Sequence, residues 1–195
     1  ALGIFAFTRQ SVTGAVLYMV NHGIATGLLF VVVGMIIARG GTRKIGDYRG
    51  MAKATPVVGG LFLLAVMCAL ALPGTNSFVS EFLVLLGSFP TQPVYTILAT
   101  VGIIFAALYA LWIYQRVMQG PLGGPAIEAA EKHGRLRDAT KVEIAAVAPL
   151  VVLILFLGFY PKPVLDVITP SVNATLTELG VAPEAVPAVV QGGLR

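Results

Sequence analysis

The 195 residues are 57% hydrophobic and 11% charged, with a mean hydropathy of +0.88, which is more apolar than a soluble domain of this length needs for its core. The net charge of +4 comes from bases that lie in loops between apolar spans, a topological pattern that argues against nucleic-acid binding. The lone Cys68 excludes a disulfide framework, a Cys-x-x-Cys motif and an iron–sulfur cage within the chain, and it is expected to serve packing. An all-α integral membrane protein, a multi-span helical bundle, is therefore expected.

Residues 1–7 are too short for a span or a signal peptide and read as the end of a truncated helix, so the chain is expected to be a fragment of a longer polypeptide. Residues 14–38 are long and apolar enough to cross a bilayer. Within them Tyr18, His22 and Thr26 recur at four-residue spacing with Asn21 beside them, and so share one helix face. Gly23 and Gly27 give a small-x-x-x-small spacing that admits a close neighbour, so this polar face is expected to be buried. Residues 39–55 read as a loop carrying Arg39, Arg43, Lys44, Arg49 and Lys53.

Residues 56–90 would run about 50 Å as one helix, against a hydrocarbon thickness of about 30 Å. They are interrupted at Leu70-Ala-Leu-Pro-Gly-Thr-Asn-Ser-Phe-Val-Ser-Glu81. Proline lacks an amide hydrogen and glycine relaxes the backbone, so Pro73 and Gly74 predict a break, with Thr75, Asn76 and Ser77 as its polar flank. Unwound backbone at membrane depth is tolerated only under protein or water, so Glu81 is expected to face the interior. The segment is one broken crossing or a hairpin of two short ones. A further span covers 93–116, 120–141 is a polar Gly/Pro-containing segment, and a last span covers 143–160. Residues 161–195 lack a span-length run and are expected to form an outer-side tail, at the interface or partly disordered.

The bases choose between the two readings of 56–90. A single crossing puts ten of the 13 Lys and Arg residues on one side and leaves Arg9, Lys162 and Arg195 opposite, whereas a hairpin nearly abolishes the bias. The positive-inside rule favours one broken crossing, basic loops in the cytoplasm and the C-terminus outside.

Two ionisable groups stand well inside the spans, His22 and Glu81. A charge at a helix centre costs about 2.5 to 3.5 kcal/mol on insertion scales, and proton or ion handling is the functional reason for accepting it. The structural alternatives are a Glu81 favoured by the dipole of the second half-helix, capped by Asn76 or Ser77, and a His22 bonded across a helix interface. His133 reads as a solvated loop residue, and Glu143 as an acid favoured at a helix start by the dipole alone. No His, Cys or carboxylate set has metal spacing, and no Gly-rich phosphate loop follows a strand, so redox chemistry within the chain is not expected.

The runs Gly14-Ala-Val-Leu-Tyr-Met-Val-Asn-His-Gly23, Thr26-Gly-Leu-Leu-Phe30, Thr42-Arg43, Leu72-Pro-Gly-Thr-Asn-Ser-Phe-Val-Ser-Glu-Phe82, Gly87-Ser-Phe89 and Gly158-Phe-Tyr-Pro-Lys-Pro163, with Asp166, resemble the antiporter-like family of respiratory complex I, the proton-pumping NADH:quinone oxidoreductase. The resemblance implies the C-terminal part of a fourteen-helix fold, holding the end of the tenth helix and the last four, with the twelfth helix discontinuous. It implies that Glu81 and His22 transfer protons, Glu81 on a terminal path toward the outside. FMN, iron–sulfur clusters and quinone are implied in partner subunits and none in this chain. The implied setting is a hetero-oligomer with other membrane-arm subunits in the bacterial plasma (inner) membrane, with protons and the lipid bilayer as partners and no nucleic acid. The loop departs from many relatives: it reads Ala38-Arg-Gly-Gly-Thr-Arg43 where they carry Glu-Arg-x-His-Thr-Arg, so no loop histidine is available as a relay. A cation/proton antiporter subunit, a membrane-bound hydrogenase subunit and a non-conducting scaffold remain the alternatives.

Overall fold

A computed structural model describes residues 1–181. Its elements are α1 (Leu2–Phe5), α2 (Arg9–Gly40), 3-10 turns at Ile45–Asp47 and Met51–Lys53, α3 (Pro56–Ala69), α4 (Asn76–Ser88), α5 (Pro93–Met118), α6 (Pro125–Lys132), α7 (Lys141–Phe159) and α8 (Lys162–Glu178). The described residues contain no β-strand beyond an isolated bridge between Arg49 and Gly123. Helices α2, α5 and α7 are each long and apolar enough to cross a membrane, while α3 and α4 are shorter apolar helices.

The axis of the bundle is α2. Thr8 opens it by accepting the Ser11 amide on its side-chain oxygen at 3.0 Å, and Gly41 closes it in the left-handed conformation at φ 75°. Capping at Thr8 makes the helix begin ahead of the apolar stretch 14–38. At the other end Arg39 belongs to the last turn and is buried, so it is not a loop residue.

Helices α3 and α4 follow one another along α2 in the opposite direction. The Asp138 carboxylate, capping the start of α3 at Val57 and Val58, lies beside the Arg39 end of α2. Asn76 at the start of α4 meets Asn21, and at the far end the Thr8 hydroxyl donates to the Gly87 carbonyl at 2.8 Å. This register is that of one interrupted rod beside a continuous one.

The main core lies where α2, α3, α5 and α7 meet, around Leu28, Val32, Phe62, Val58 and Ile154. A smaller cluster joins Leu17 to Ile168, Val172 and Leu176 of α8. Within the expected tail, residues 162–178 form α8, an amphipathic helix shorter than a span that docks on an apolar face of α2. The part of the expected tail beyond residue 181 lies outside the described residues. The polar segment before α7 likewise contains α6, whose Ala126, Ile127 and Ala130 are buried.

The bridge between Arg49 and Gly123 ties the two basic loops together, so both stand at the same end of the bundle. There Arg39 uses all five of its N–H donors. It forms a bidentate pair with Glu143 at 2.9 Å for each contact, and it donates to the carbonyls of Met35, Arg137 and Asp138. Glu143 also closes a capping box with Thr140 at the start of α7, and so does more than answer the helix dipole.

A candidate proton site at a broken helix

Between α3 and α4 the chain unwinds over residues 70–75. Ala71 has φ 52° and Gly74 φ 95°, both in the left-handed region, and only the glycine tolerates this without steric cost. Helix α7 covers the break: the Phe159 ring lies against Gly74, and Gly158 packs so closely that an added Cβ would overlap the Gly74 carbonyl. Pro73 stays exposed, while Thr75, Asn76 and Ser77 are buried.

The buried face of the break is bonded, not open. The Asn21 side-chain amide donates to the Asn76 carbonyl at 2.7 Å and to the Ser80 hydroxyl at 3.2 Å. The Asn76 amide answers by donating to the main-chain and side-chain oxygens of Asn21, each at 3.2 Å. The Cys68 thiol donates to the Asn76 side-chain oxygen at 3.1 Å. Asn21, Asn76 and Ser80 are fully buried, so this network fastens both sides of the break to α2 where an unpaired amide is most costly. It corrects two expectations. Asn76 and Ser77 do not cap α4, since Thr75 is the N-cap residue and its hydroxyl donates to Leu72. Cys68 does more than pack. Ser80 and Cys68 carried no signal of their own, although Ser80 stands four residues after Asn76 and therefore on the same helix face.

Next to Ser80 of this network, Glu81 is half-buried and lines a cavity of about 270 Å³ between α1, α2, α4 and α5. Tyr18 lines the same cavity. The Tyr18 ring stacks on His22, with centroids 5.8 Å apart and planes at 15°, and the Thr26 hydroxyl lies 3.3 Å from His22 Nε2. The polar residues therefore form a file in which Glu81 shares a cavity with Tyr18, Tyr18 stacks on His22, and His22 adjoins Thr26.

The described residues cover this file only in part. Tyr18 and His22 are exposed among the described residues, and a Cβ on Gly23 or Gly27 would meet nothing within 4 Å. The reason lies in the helical register. The side of α2 that packs on α4 and the core runs through Gly14, Leu17, Asn21, Ala25, Leu28 and Val32, and Tyr18 and His22 sit one position round from it. Among the described residues no group of three or more His, Cys, Asp or Glu side chains is placed to hold a metal ion.

Residues 1–108 match the family described as NADH:quinone oxidoreductase/Mrp antiporter, TM. A protein named NADH-quinone oxidoreductase subunit M from Mycobacterium tuberculosis is 44% identical over 178 residues, covering 91% of this chain and 31% of that protein. Its namesake from Rhodobacter capsulatus is 43% identical over 171 residues, covering 88% and 32%. A chain in the solved structure of respiratory complex I from Thermus thermophilus with bound NADH superposes with a TM-score of 0.81 at 28% identity, over 93% of this chain and 36% of that one. The chain spans about a third of the length of the curated relatives it matches.

Proposed function

Because the chain belongs to the NADH:quinone oxidoreductase/Mrp antiporter membrane family, we propose that it is the C-terminal part of a membrane-arm subunit of NADH:quinone oxidoreductase that translocates protons. The observation that carries this reading is the placement of Glu81, a carboxylate on the cavity one turn beyond a helix break that α7 covers. A cavity of about 270 Å³ has room for several water molecules at about 30 Å³ each, so protons can reach the carboxylate by hydrogen-bonded exchange. Tyr18 and His22 continue the polar file along α2, and histidine takes up and releases protons near neutral pH. The Asn21–Asn76 network carries no charge itself and fastens α4, the helix that bears Glu81, to α2. Protons load Glu81 and leave on the outer side of the bacterial inner membrane, with the basic loops cytoplasmic.

Electron transfer belongs to partner subunits, which hold FMN, iron–sulfur clusters and quinone. The alternative within the family is cation/proton exchange, since its description spans both classes. Purification of the assembly through a tag on this chain tests the reading. Flavin and iron–sulfur subunits with NADH oxidation and proton uptake into vesicles are the expected result. Sodium/proton exchange without electron carriers would replace it with the antiporter.

A further inference from the structure

The break leaves α4 without helical continuity to α3, so its height and rotation beside α2 are set by contacts across the interface. Apolar packing is non-directional and tolerates sliding, whereas hydrogen bonds are directional. Two pins of the second kind bracket the helix. At its start the Asn21 side-chain amide donates to the Asn76 carbonyl at 2.7 Å and to the Ser80 hydroxyl at 3.2 Å, and the Asn76 side-chain amide returns two bonds to Asn21, each at 3.2 Å. At its far end the Thr8 hydroxyl donates to the Gly87 carbonyl at 2.8 Å. Between the pins α2 comes so close that a Cβ on Gly14 would overlap Leu83 and the Val84 nitrogen.

The bonded residues are sequence neighbours of the ionisable ones: Asn21 precedes His22 on α2, and Ser80 precedes Glu81 on α4. Each step along a helix turns a side chain by about 100° and shifts it by about 1.5 Å. A slip of one residue in the pairing of Asn21 with Ser80 would therefore turn Glu81 away from the cavity it shares with Tyr18, whose ring stacks on His22. We propose that Asn21, Asn76 and Ser80 are positioning residues that hold Glu81 in register with Tyr18 and His22. All three are fully buried, where an unpaired amide is costly, so the pairing resists slipping. The inference rests on the reading of Glu81 as a proton-transfer group and adds what aims it.

The test is a double-variant cycle in the intact assembly, reconstituted in vesicles. Protons moved per NADH oxidised is the readout, with the amount of assembled complex measured alongside. Asn21→Ala is expected to lower the ratio toward that of Glu81→Gln, and to lower it no further when combined with Glu81→Gln, because it acts through that carboxylate. A residue that serves stability alone reduces the amount of assembled complex and leaves the ratio as it is. An unchanged ratio in Asn21→Ala beside a lowered one in Glu81→Gln therefore overturns the positioning role alone. A further fall in the double variant overturns it too, since Asn21 would then act outside the Glu81 route. An unchanged ratio in Glu81→Gln itself refutes the reading of Glu81, and the inference with it. Should Asn21→Ala fail to assemble, Ser80→Ala, which leaves the bonds between Asn21 and Asn76 in place, is judged by the same outcomes.

Discussion

At the scale of single residues, the molecule separates a bonded amide and hydroxyl network from ionisable side chains. Asn21, Asn76 and Ser80 are buried and mutually bonded, whereas Glu81, Tyr18 and His22 line a cavity or an exposed face. Asn21→Ala is expected to leave the Asn76 amide short of partners and to destabilise the fold by about 1 to 3 kcal/mol, read as a lower melting temperature in detergent. Arg39→Gln breaks a bidentate pair on a nearly buried guanidinium. Because the Glu143 side chain keeps 26% of its surface, the expected loss is at the lower end of the roughly 3 to 5 kcal/mol typical of buried pairs, measured by the same melting experiment. Glu81 and His22 were legible in the sequence because charge is rare in an apolar span. The partners of the buried Asn21 were not, because they lie 55 and 59 positions away and no local pattern links them.

At the scale of elements, the break between α3 and α4 is covered by a third helix, α7. Proline and glycine in sequence announce where a helix stops; they do not announce what protects the exposed carbonyls. That task falls to Gly158 and Phe159 of α7, more than 80 residues further on. Gly158→Ala is expected to push α7 away from the Gly74 carbonyl and destabilise by about 1 to 3 kcal/mol, and a substitution at Gly60, where a Cβ meets nothing within 4 Å, is expected to leave the melting temperature unchanged. The chain around 162–178 shows the converse limit. Its run is too short and too polar for a span, so hydropathy alone left open whether the tail lies at the interface or is partly disordered, and the docking on Leu17 of α2 that accompanies its helix is not written in its own sequence.

For the whole molecule, the bridge between Arg49 and Gly123 and the antiparallel course of α3–α4 along α2 gather the basic loops at one end. The charge bias that led the sequence to be read with both basic loops on one side is a matter of composition and needs no tertiary contact. Cysteines placed at Arg43 and Lys132 in a Cys68→Ser background are expected to react with an impermeant maleimide from the cytoplasmic side only, and one at Asp166 from the opposite side only. Labelling of Arg43 and Lys132 positions from opposite sides would require a different topology. The central claim is that Glu81 takes part in proton transfer and not merely in assembly. Its most direct measurement is the ratio of protons moved to NADH oxidised in vesicles carrying the intact assembly with Glu81→Gln. The account predicts normal assembly and a ratio clearly below that of the unmodified protein; an unchanged ratio would contradict it.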